Sequence, residues 1–241
     1  LIYHGPNQYL ELKSFDKNFD EIIPFGWGIF GWISKGIVVP MFNLMEGFGW
    51  NYGLIIFLMA LIIKLALSPL TFASYKSMAK MRLLKPEMDE LAEKHGDDAQ
   101  KKQQETMLLY QKAGVNPLGG CIPQLLQFPI LIAMFRFFPA SIELRQESFL
   151  WADDLSSYDS IFNFGQWFSL PFYGDHISLF TILMAISTFL YTRFNNSMTP
   201  SSNNMMQQQM QVIQYLMPIM LLVWFNNYAS GLSYYYFVSN L

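Results

Sequence analysis

The sequence predicts an all-α, polytopic membrane protein, and three observations lead to that class. Apolar residues make up 52% of the 241 residues and charged residues only 14%, against the roughly 25% charged residues usual in globular proteins. The apolar residues are grouped in long blocks, which disfavours a single soluble core. The clearest block, residues 51–72, matches the about 20 residues that a helix needs to cross a bilayer. We therefore expect a core of five transmembrane helices, a two-helix hairpin outside the membrane and an interfacial helix near the N-terminus.

Two segments of different composition precede the first span. Residues 1–23 mix polar and aromatic side chains. We interpret them as the tail of a soluble domain, with Tyr3, Tyr9 and Leu12 on a short strand or turn packed against an upstream part of that domain. Residues 24–50 are apolar but contain several glycines and prolines and carry Lys35. Aromatic residues combined with charges favour an amphipathic helix in the headgroup region, and a full span is the alternative.

Lys64 is the one charged residue in the first predicted span, residues 51–72. At about 1.5 Å of rise per residue, it lies roughly 16 Å from the polar residues around Tyr75, farther than a lysine side chain reaches. A cation at that depth costs on the order of 3 kcal/mol to insert. The later predicted spans contain no acidic residue. We therefore expect a hydrated, polar cavity around Lys64. The alternative is a lysine that reaches the headgroups and has no role.

Polar residues in the predicted spans are candidates to line that cavity. Gln124 and Gln127 are three residues apart and so share a helix face. They either line the cavity or hold neighbouring helices together through hydrogen bonds. The polar residues expected around Lys64 are Gln124, Gln127, Gln214, Ser68, Thr71, Tyr215 and Ser233.

Residues 75–114 contain eight lysines or arginines. Apolar residues at helical spacing on both sides of a turn at Gly96 predict a two-helix hairpin, and its methionines are expected to form an exposed apolar face. The basic residues could bind anionic lipid or RNA phosphates. Because seven acidic residues are interleaved with them, the alternative is a solvated hairpin that packs on itself and binds neither. The positive-inside rule puts the hairpin in the cytoplasm and the loop at residues 139–175, which has one basic residue, on the outer side.

Further apolar segments complete the predicted core. Asn116 and Pro117 are typical of a helix start, and residues 195–211 are polar enough to be interpreted as a loop. Spans are expected at residues 117–138, 176–191, 212–225 and 230–241, the last one truncated.

Signals for catalysis, metal binding or a cofactor are missing from the sequence. The three histidines lie in separate segments, and the single cysteine, Cys121, allows no internal disulfide. The sequence also contains no glycine-rich phosphate-binding motif. We therefore predict no catalytic residue, no metal site, no cofactor and no direct recognition of nucleic acid.

Several short motifs resemble the YidC family of membrane protein insertases. They are KLALSPLT from Lys64, NPLGGCIP from Asn116, QFPI from Gln127 and SNL from Ser239, in the order and spacing of that family. The resemblance covers about residues 25–241. It implies a five-helix core around a hydrophilic groove that is open to the cytoplasm and to lipid. The family's single positive residue in this groove is typically arginine, and Lys64 stands at that position.

The resemblance implies an insertase for nascent membrane proteins and not an enzyme that makes or breaks bonds. A hydrophilic segment would enter the groove beside Lys64, and its apolar neighbour would then slide into lipid. Short spans, such as residues 176–191, suggest local thinning of the membrane. The expected groove residues are Lys64, Gln124, Gln127, Gln214 and Tyr215, and the expected slide residues are Phe128, Ile130, Leu131, Leu216 and Ile219.

The expected partners are nascent membrane proteins, anionic lipids, the Sec translocon and the ribosome. The expected location is the inner membrane of a bacterium, with residues 1–20 as the last part of a periplasmic domain and the loop at residues 139–175 also periplasmic. Two other functions stay open from the sequence. One is an ion- or proton-coupled transporter, which an intramembrane lysine permits. The other is a structural subunit of a translocon that does not itself insert proteins.

Overall fold

The computed structural model describes residues 4–15, 18–95, 98–115, 122–165, 170–198 and 205–241. Within these residues the chain is mostly helical. The helices are α1 (Tyr9–Ser14), α2 (Gly28–Ile33), α3 (Val39–Glu46), α4 (Tyr52–Leu83), α5 (Lys85–His95), α6 (Ala99–Lys112), α7 (Ile122–Ala140), α8 (Leu179–Met198), α9 (Met205–Phe225) and α10 (Ser230–Asn240). Strands β1 (Phe162–Asn163) and β2 (His176–Ile177) pair antiparallel, with Phe162 opposite Ile177.

The N-terminal segment is helical where a strand or turn was expected. Tyr9 and Leu12 lie three residues apart on α1, so both face the same side, and both are buried. The Tyr9 ring packs edge-on against Phe25, with 5.4 Å between the ring centroids. The expectation of a strand or turn is therefore wrong, and both residues belong to the main core of the chain.

α2 and α3 are joined by a π-helical turn, Ser34–Val38, and form one continuous helix. Pro40, at the start of α3, has no N–H to donate to the preceding turn. The π-helical turn, which ends two residues earlier, changes the hydrogen-bond spacing there and so accommodates the proline. By length and composition, Gly28–Glu46 is apolar enough to cross a membrane, as is α4. Lys35, in the π-helical turn, lies 3.7 Å from a carboxylate oxygen of Asp20.

α4 begins at an N-cap, where the Asn51 side chain accepts a hydrogen bond from the Gly53 N–H. Pro69 does not end the helix. Its missing N–H leaves the Leu65 carbonyl without the usual partner, and the Ser68 hydroxyl donates to that carbonyl at 2.8 Å. The helix consequently continues to Leu83, about three turns beyond the predicted span. The predicted start of the hairpin at residue 75 is therefore wrong, because its first residues extend α4.

α5 and α6 follow α4 and pack against each other. Tyr110 on α6 donates a hydrogen bond to the Met88 sulfur on α5 at 3.3 Å, and burial raises the pKa of the Tyr110 hydroxyl. Met78, Met81 and Met88 are buried. The expected exposed methionine face is therefore wrong for these three residues, because Met78 and Met81 form a small core with Val115 and Met88 contacts Tyr110.

The last helices differ from the predicted spans at their ends. Residues 195–211 were expected to form a loop, but α8 continues to Met198 and α9 already begins at Met205. Glutamine and methionine are good helix formers, so polarity alone did not end either helix. The predicted span at 176–191 starts too early, because His176 belongs to β2. The expected helix start at Asn116 and Pro117 lies outside the described residues.

α10 lies at the centre of the later helices and contacts α4, α7 and α8, while α9 packs on α8. Small residues allow this close packing, as is usual between helices in membranes. Gly231 is buried, and a Cβ atom there would approach the Leu155 carbonyl oxygen to 2.9 Å. The core around α10 is built from fully buried aromatic rings, among them Phe42, Phe137, Phe138, Phe180 and Tyr235.

Candidate groove and its supporting polar network

Lys64 lies in the middle of the apolar part of α4 and is partly buried. Its Nζ atom is 5.6 Å from the centroid of the Tyr191 ring on α8. Among the residues that the structure describes, no carboxylate lies within ion-pair distance of Lys64. The cation therefore faces the electron-rich side of an aromatic ring, an attraction of about 0.5–2 kcal/mol that leaves its charge in place.

The contact between α4 and α8 continues from Lys64 toward the hairpin. Tyr75 lies beside Tyr191, and its hydroxyl donates to the Asn195 side chain at 3.4 Å. Polar and aromatic groups of two helices thus line one seam over roughly three turns. Sequence reasoning did not single out Tyr191 or Asn195, because aromatic and polar residues at the end of an apolar segment are equally typical of a membrane interface.

The other predicted groove residues are distributed over α7 and α9. Gln127 is partly buried and lies near the Tyr235 hydroxyl of α10, although no hydrogen bond of normal geometry joins them. Tyr215 is exposed, and its ring centroid is 6.0 Å from that of Phe189. The side chains of Gln124 and Gln214 lie outside the described ones. In the described part of the chain, no hydrogen bond links Lys64 to Gln127 or Tyr215, so a common cavity stays a prediction.

The predicted slide residues differ in how far their side chains are exposed. Phe128 on α7 and Leu216 and Ile219 on α9 are exposed apolar side chains. Ile130 and Leu131 are only partly exposed, because their part of α7 turns toward the protein interior. Both helices thus present apolar side chains outward, a surface that suits contact with lipid or with an apolar polypeptide.

A buried carboxylate caps α8 at the opposite end from Asn195. Asp159 is 2% exposed, and it accepts hydrogen bonds from the backbone N–H groups of Leu179 and Phe180 at 2.9 and 3.1 Å. The Trp151 indole and the Ser178 hydroxyl also donate to it. A carboxylate at a helix N-terminus satisfies unpaired N–H groups and interacts favourably with the helix dipole. Asp159 therefore caps the start of α8 together with Ser178, whose hydroxyl accepts from the Thr181 N–H at 3.1 Å.

A second polar cluster ties the turn between α9 and α10 to the segment before α8. His176 is 1% exposed, its Nε2 atom lies 2.9 Å from the Asn226 carbonyl oxygen, and its ring stacks on Tyr158. The Asn226 side chain donates to the carbonyls of Tyr173 and His176 and accepts from the Ser178 N–H. Burial raises the pKa of Tyr173. Sequence reasoning missed this cluster, because its members are far apart in the chain and carry no spacing signal.

The described residues include no group of three or more His, Cys, Asp or Glu side chains arranged to hold a metal ion. The polar groups of the two clusters are instead occupied with each other and with the backbone. Their arrangement serves to position helices. The candidate groove itself offers the charge of Lys64 and the exposed apolar side chains of α7 and α9 for contact with a ligand.

Comparison with known proteins is consistent across sequence and structure. The family described as 60Kd inner membrane protein matches residues 43–241. The chain is 48% identical to a membrane protein insertase YidC from Parabacteroides distasonis and 50% identical to one from Amoebophilus asiaticus, in each case over 99% of this chain. It spans only 40% and 39% of the lengths of those relatives.

A solved structure described as an active YidC insertase with its first transmembrane domain resolved has a similar fold. The TM-score is 0.58 and the identity 27%, over 98% of this chain and 52% of that one. The resemblance that the motifs indicated is thereby confirmed, as is a predominantly helical architecture.

Proposed function

Because the chain belongs to the 60Kd inner membrane protein family, we propose that it inserts proteins into membranes, the activity for which its YidC relatives are named. As a member of that family it is an inner membrane protein. The chain corresponds to about two-fifths of those relatives. Insertion is therefore proposed for the protein that contains this chain.

The proposed topology has five spans, formed by α4, α7, α8, α9 and α10. The hairpin of α5 and α6 lies in the cytoplasm, and the loop between α7 and α8 lies in the periplasm. The hairpin contains more lysines and arginines than that loop, which is the pattern expected of a cytoplasmic segment. The helix formed by Gly28–Glu46 lies at the periplasmic interface. Its Lys35 pairs with Asp20 of the N-terminal segment, which supports a position at the membrane surface.

The position of Lys64 is the observation that carries the mechanism. Its ammonium group lies in an apolar helix and faces the Tyr191 ring, with no carboxylate of the described chain to neutralise it. An acidic segment of a nascent chain would gain a partner there, which lowers the cost of bringing its charge into the membrane. Because a lysine is a compact point charge, this attraction needs no fixed bidentate geometry.

Polar and apolar residues would then act in sequence. Gln127 and Tyr215, together with Gln124 and Gln214, would supply hydrogen bonds to the polar segment while it is below the membrane surface. The apolar segment would move along Phe128 and Leu216 and the remaining slide residues, Ile130, Leu131 and Ile219. The driving terms are burial of the apolar segment in lipid and attraction of its acidic neighbour to Lys64.

Reconstitution in liposomes tests this proposal. The full-length protein is purified, and insertion of a small single-span substrate with an acidic tail is followed by protease protection. Lys64→Ala should slow insertion by roughly tenfold, the effect of about 1.4 kcal/mol, whereas Lys64→Arg should retain most of the rate. Lys94→Ala, an exposed hairpin lysine, is the matched control and should have no effect.

A second substrate separates the role of charge from general damage. The same span with a neutral tail should insert equally well with wild type and Lys64→Ala. Equal rates for the acidic tail in both proteins would remove Lys64 from the mechanism. Failure of the wild-type protein to insert either substrate without other proteins would overturn the proposed function in favour of a structural role in a translocon.

A further inference from the structure

Arg136 is a second cation in a predominantly apolar helix. It lies on α7, four residues before the helix ends at Ala140, and its side chain is exposed. Among the described residues it has no ion-pair partner and no side-chain hydrogen bond. Sequence reasoning did not single it out, although the signal that identified Lys64 applies to it equally.

Arg136 borders a cleft of about 370 Å³. Three parts of the chain form this cleft: the N-terminal segment with Asn7 and Ile22, the end of α7, and the α9–α10 turn with Tyr228. The side chains of Asn7 and Tyr228 make no hydrogen bond within the described part of the chain. Ile22 and Phe135 add apolar walls. An arginine, an asparagine and a tyrosine therefore border one cleft whose other lining residues are apolar.

Exposed tryptophans mark the level of this cleft along the membrane normal. Trp27, close in sequence to Ile22, is 76% exposed, and Trp224, near the end of α9 and four residues before Tyr228, is 61% exposed. Tryptophan side chains concentrate where hydrocarbon meets the headgroups. Arg136 itself lies about 6 Å from the end of α7. The cleft is therefore at headgroup level, at the end of α7 farther from the hairpin.

We propose that this cleft binds the phosphate group of a membrane phospholipid, with the first part of its acyl chains against Ile22 and Phe135. The inference rests on the proposed topology, in which this end of α7 faces the periplasm. Arginine pairs with phosphate through two parallel hydrogen bonds, and the Asn7 amide and Tyr228 hydroxyl are further donors. Glu143 lines a separate, much smaller cavity that shares Asn7, and it is not ion-paired with Arg136.

An acidic polypeptide segment is the other anion that such a cation attracts. The lipid is favoured because the cleft combines its single cation with apolar walls at the depth where phospholipid phosphates lie. Lys64 also provides a separate cation nearer the other face of the membrane, about 18 Å along α4 from Tyr52 at its outer end. The two cations therefore lie at different levels and are expected to bind different partners.

Native mass spectrometry of the full-length protein tests the assignment with phosphatidylglycerol as the probe. Arg136→Gln should weaken retention of this lipid by about tenfold, the loss expected for one charge-assisted pair, and Arg136→Lys should weaken it less. Arg193→Gln, an exposed arginine near the other end of the core, should bind as wild type does. Diacylglycerol, which has the same tails and no phosphate, should not be retained.

Three outcomes would overturn the proposal. Equal retention by wild type and Arg136→Gln would separate Arg136 from lipid binding. Displacement of the lipid by an equal concentration of inorganic phosphate would assign the cleft to a free phosphate ion. A third experiment replaces Ile22 with photoreactive benzoylphenylalanine in cells. If this residue couples to polypeptide instead of phospholipid, the cleft binds a peptide. Protein insertion by wild type is measured on the same preparations. If wild type retains the lipid but inserts no substrate, the result contradicts the proposed function and leaves the lipid site standing.

Discussion

The Nζ atom of Lys64 on α4 lies over the ring of Tyr191 on α8, 5.6 Å from its centroid. An aromatic face stabilises a cation without cancelling its charge, whereas a carboxylate would neutralise it. The lysine is thereby positioned between two helices and its charge remains free to attract an anion. This contact links the packing of the core to the proposed binding of acidic segments.

A double-mutant cycle should detect this contact. Tyr191→Leu removes the ring, and Lys64→Met removes the charge while it keeps much of the side-chain length. The two changes should be coupled by about 1 kcal/mol in the free energy of unfolding, as expected for a partly desolvated cation–π pair. Unfolding in detergent micelles, followed by circular dichroism, measures it. Tyr191→Phe keeps the ring and should preserve the coupling, and strictly additive effects would contradict the contact.

The asparagine pair at the α9–α10 turn offers a matched test of the buried network. Asn226→Ala removes three hydrogen bonds and leaves the Ser178 N–H and the His176 carbonyl without partners, while the Tyr173 carbonyl keeps its bond from Asn227. The expected loss is about 2–4 kcal/mol. The neighbouring Asn227 is exposed and donates one bond, to the Tyr173 carbonyl, so Asn227→Ala should cost less than about 1 kcal/mol. Thermal unfolding compares them, and equal losses would show that the network contributes little.

Two glycines differ in the space available for a methyl group. A Cβ atom at Gly53 would overlap the Phe149 ring, whereas a Cβ atom at Gly36 would find its nearest neighbour, Trp32, at 3.8 Å. Gly53→Ala should therefore destabilise the protein by about 1–3 kcal/mol through overpacking. Gly36→Ala should be neutral or stabilise it by less than about 1 kcal/mol.

The unfolding midpoints of these two variants give the measurement. The smaller residue in Phe149→Ala should restore part of the stability of Gly53→Ala if ring overlap is the cause. Loss of stability in Gly36→Ala alone, or in both variants to the same extent, would show that the packing around α4 differs from the one described.

The N-cap of α6 predicts a pH dependence of the hairpin. The Lys101 N–H donates to Asp98 at 3.2 Å, and this hydrogen bond, with a smaller effect of the Lys101 ammonium group, lowers the pKa of Asp98. A lowered carboxyl pKa stabilises the folded form above the ordinary value of about 3.9. That contribution is lost as the pH falls through the lowered pKa.

Amide protection factors of the first turn of α6 provide the measurement. At neutral pH, wild type should be protected severalfold more than Asp98→Ala, and the difference should vanish at low pH, where Asp98 is protonated. Asp89→Ala, a change at an exposed carboxylate on α5, should leave α6 unchanged at both pH values. A difference between wild type and Asp98→Ala that persists at low pH would contradict an electrostatic cap.

Some helix ends depended on atoms that sequence patterns do not reveal. The predicted span ended at residue 72, near Pro69, but the Ser68 hydroxyl satisfies the carbonyl that proline leaves unpaired and α4 continues. The predicted start of α8 was three residues early, because Asp159, twenty residues upstream of Leu179, caps it there. Each end depends on the hydrogen bonds of one or two side chains, whereas hydropathy averages over many residues.

By itself the sequence determined the helical membrane class, the apolar segments, the costly position of Lys64 and, through its motifs, the family. These features depend on composition and on neighbours within one helix, where periodicity is informative. Only the tertiary structure decided that Tyr191 faces Lys64, that Asn226 and His176 join two distant turns, and that Arg136 borders a cleft shared by three segments. Such contacts connect residues from 50 to more than 100 positions apart, and no local pattern encodes which distant side chain will meet a given one.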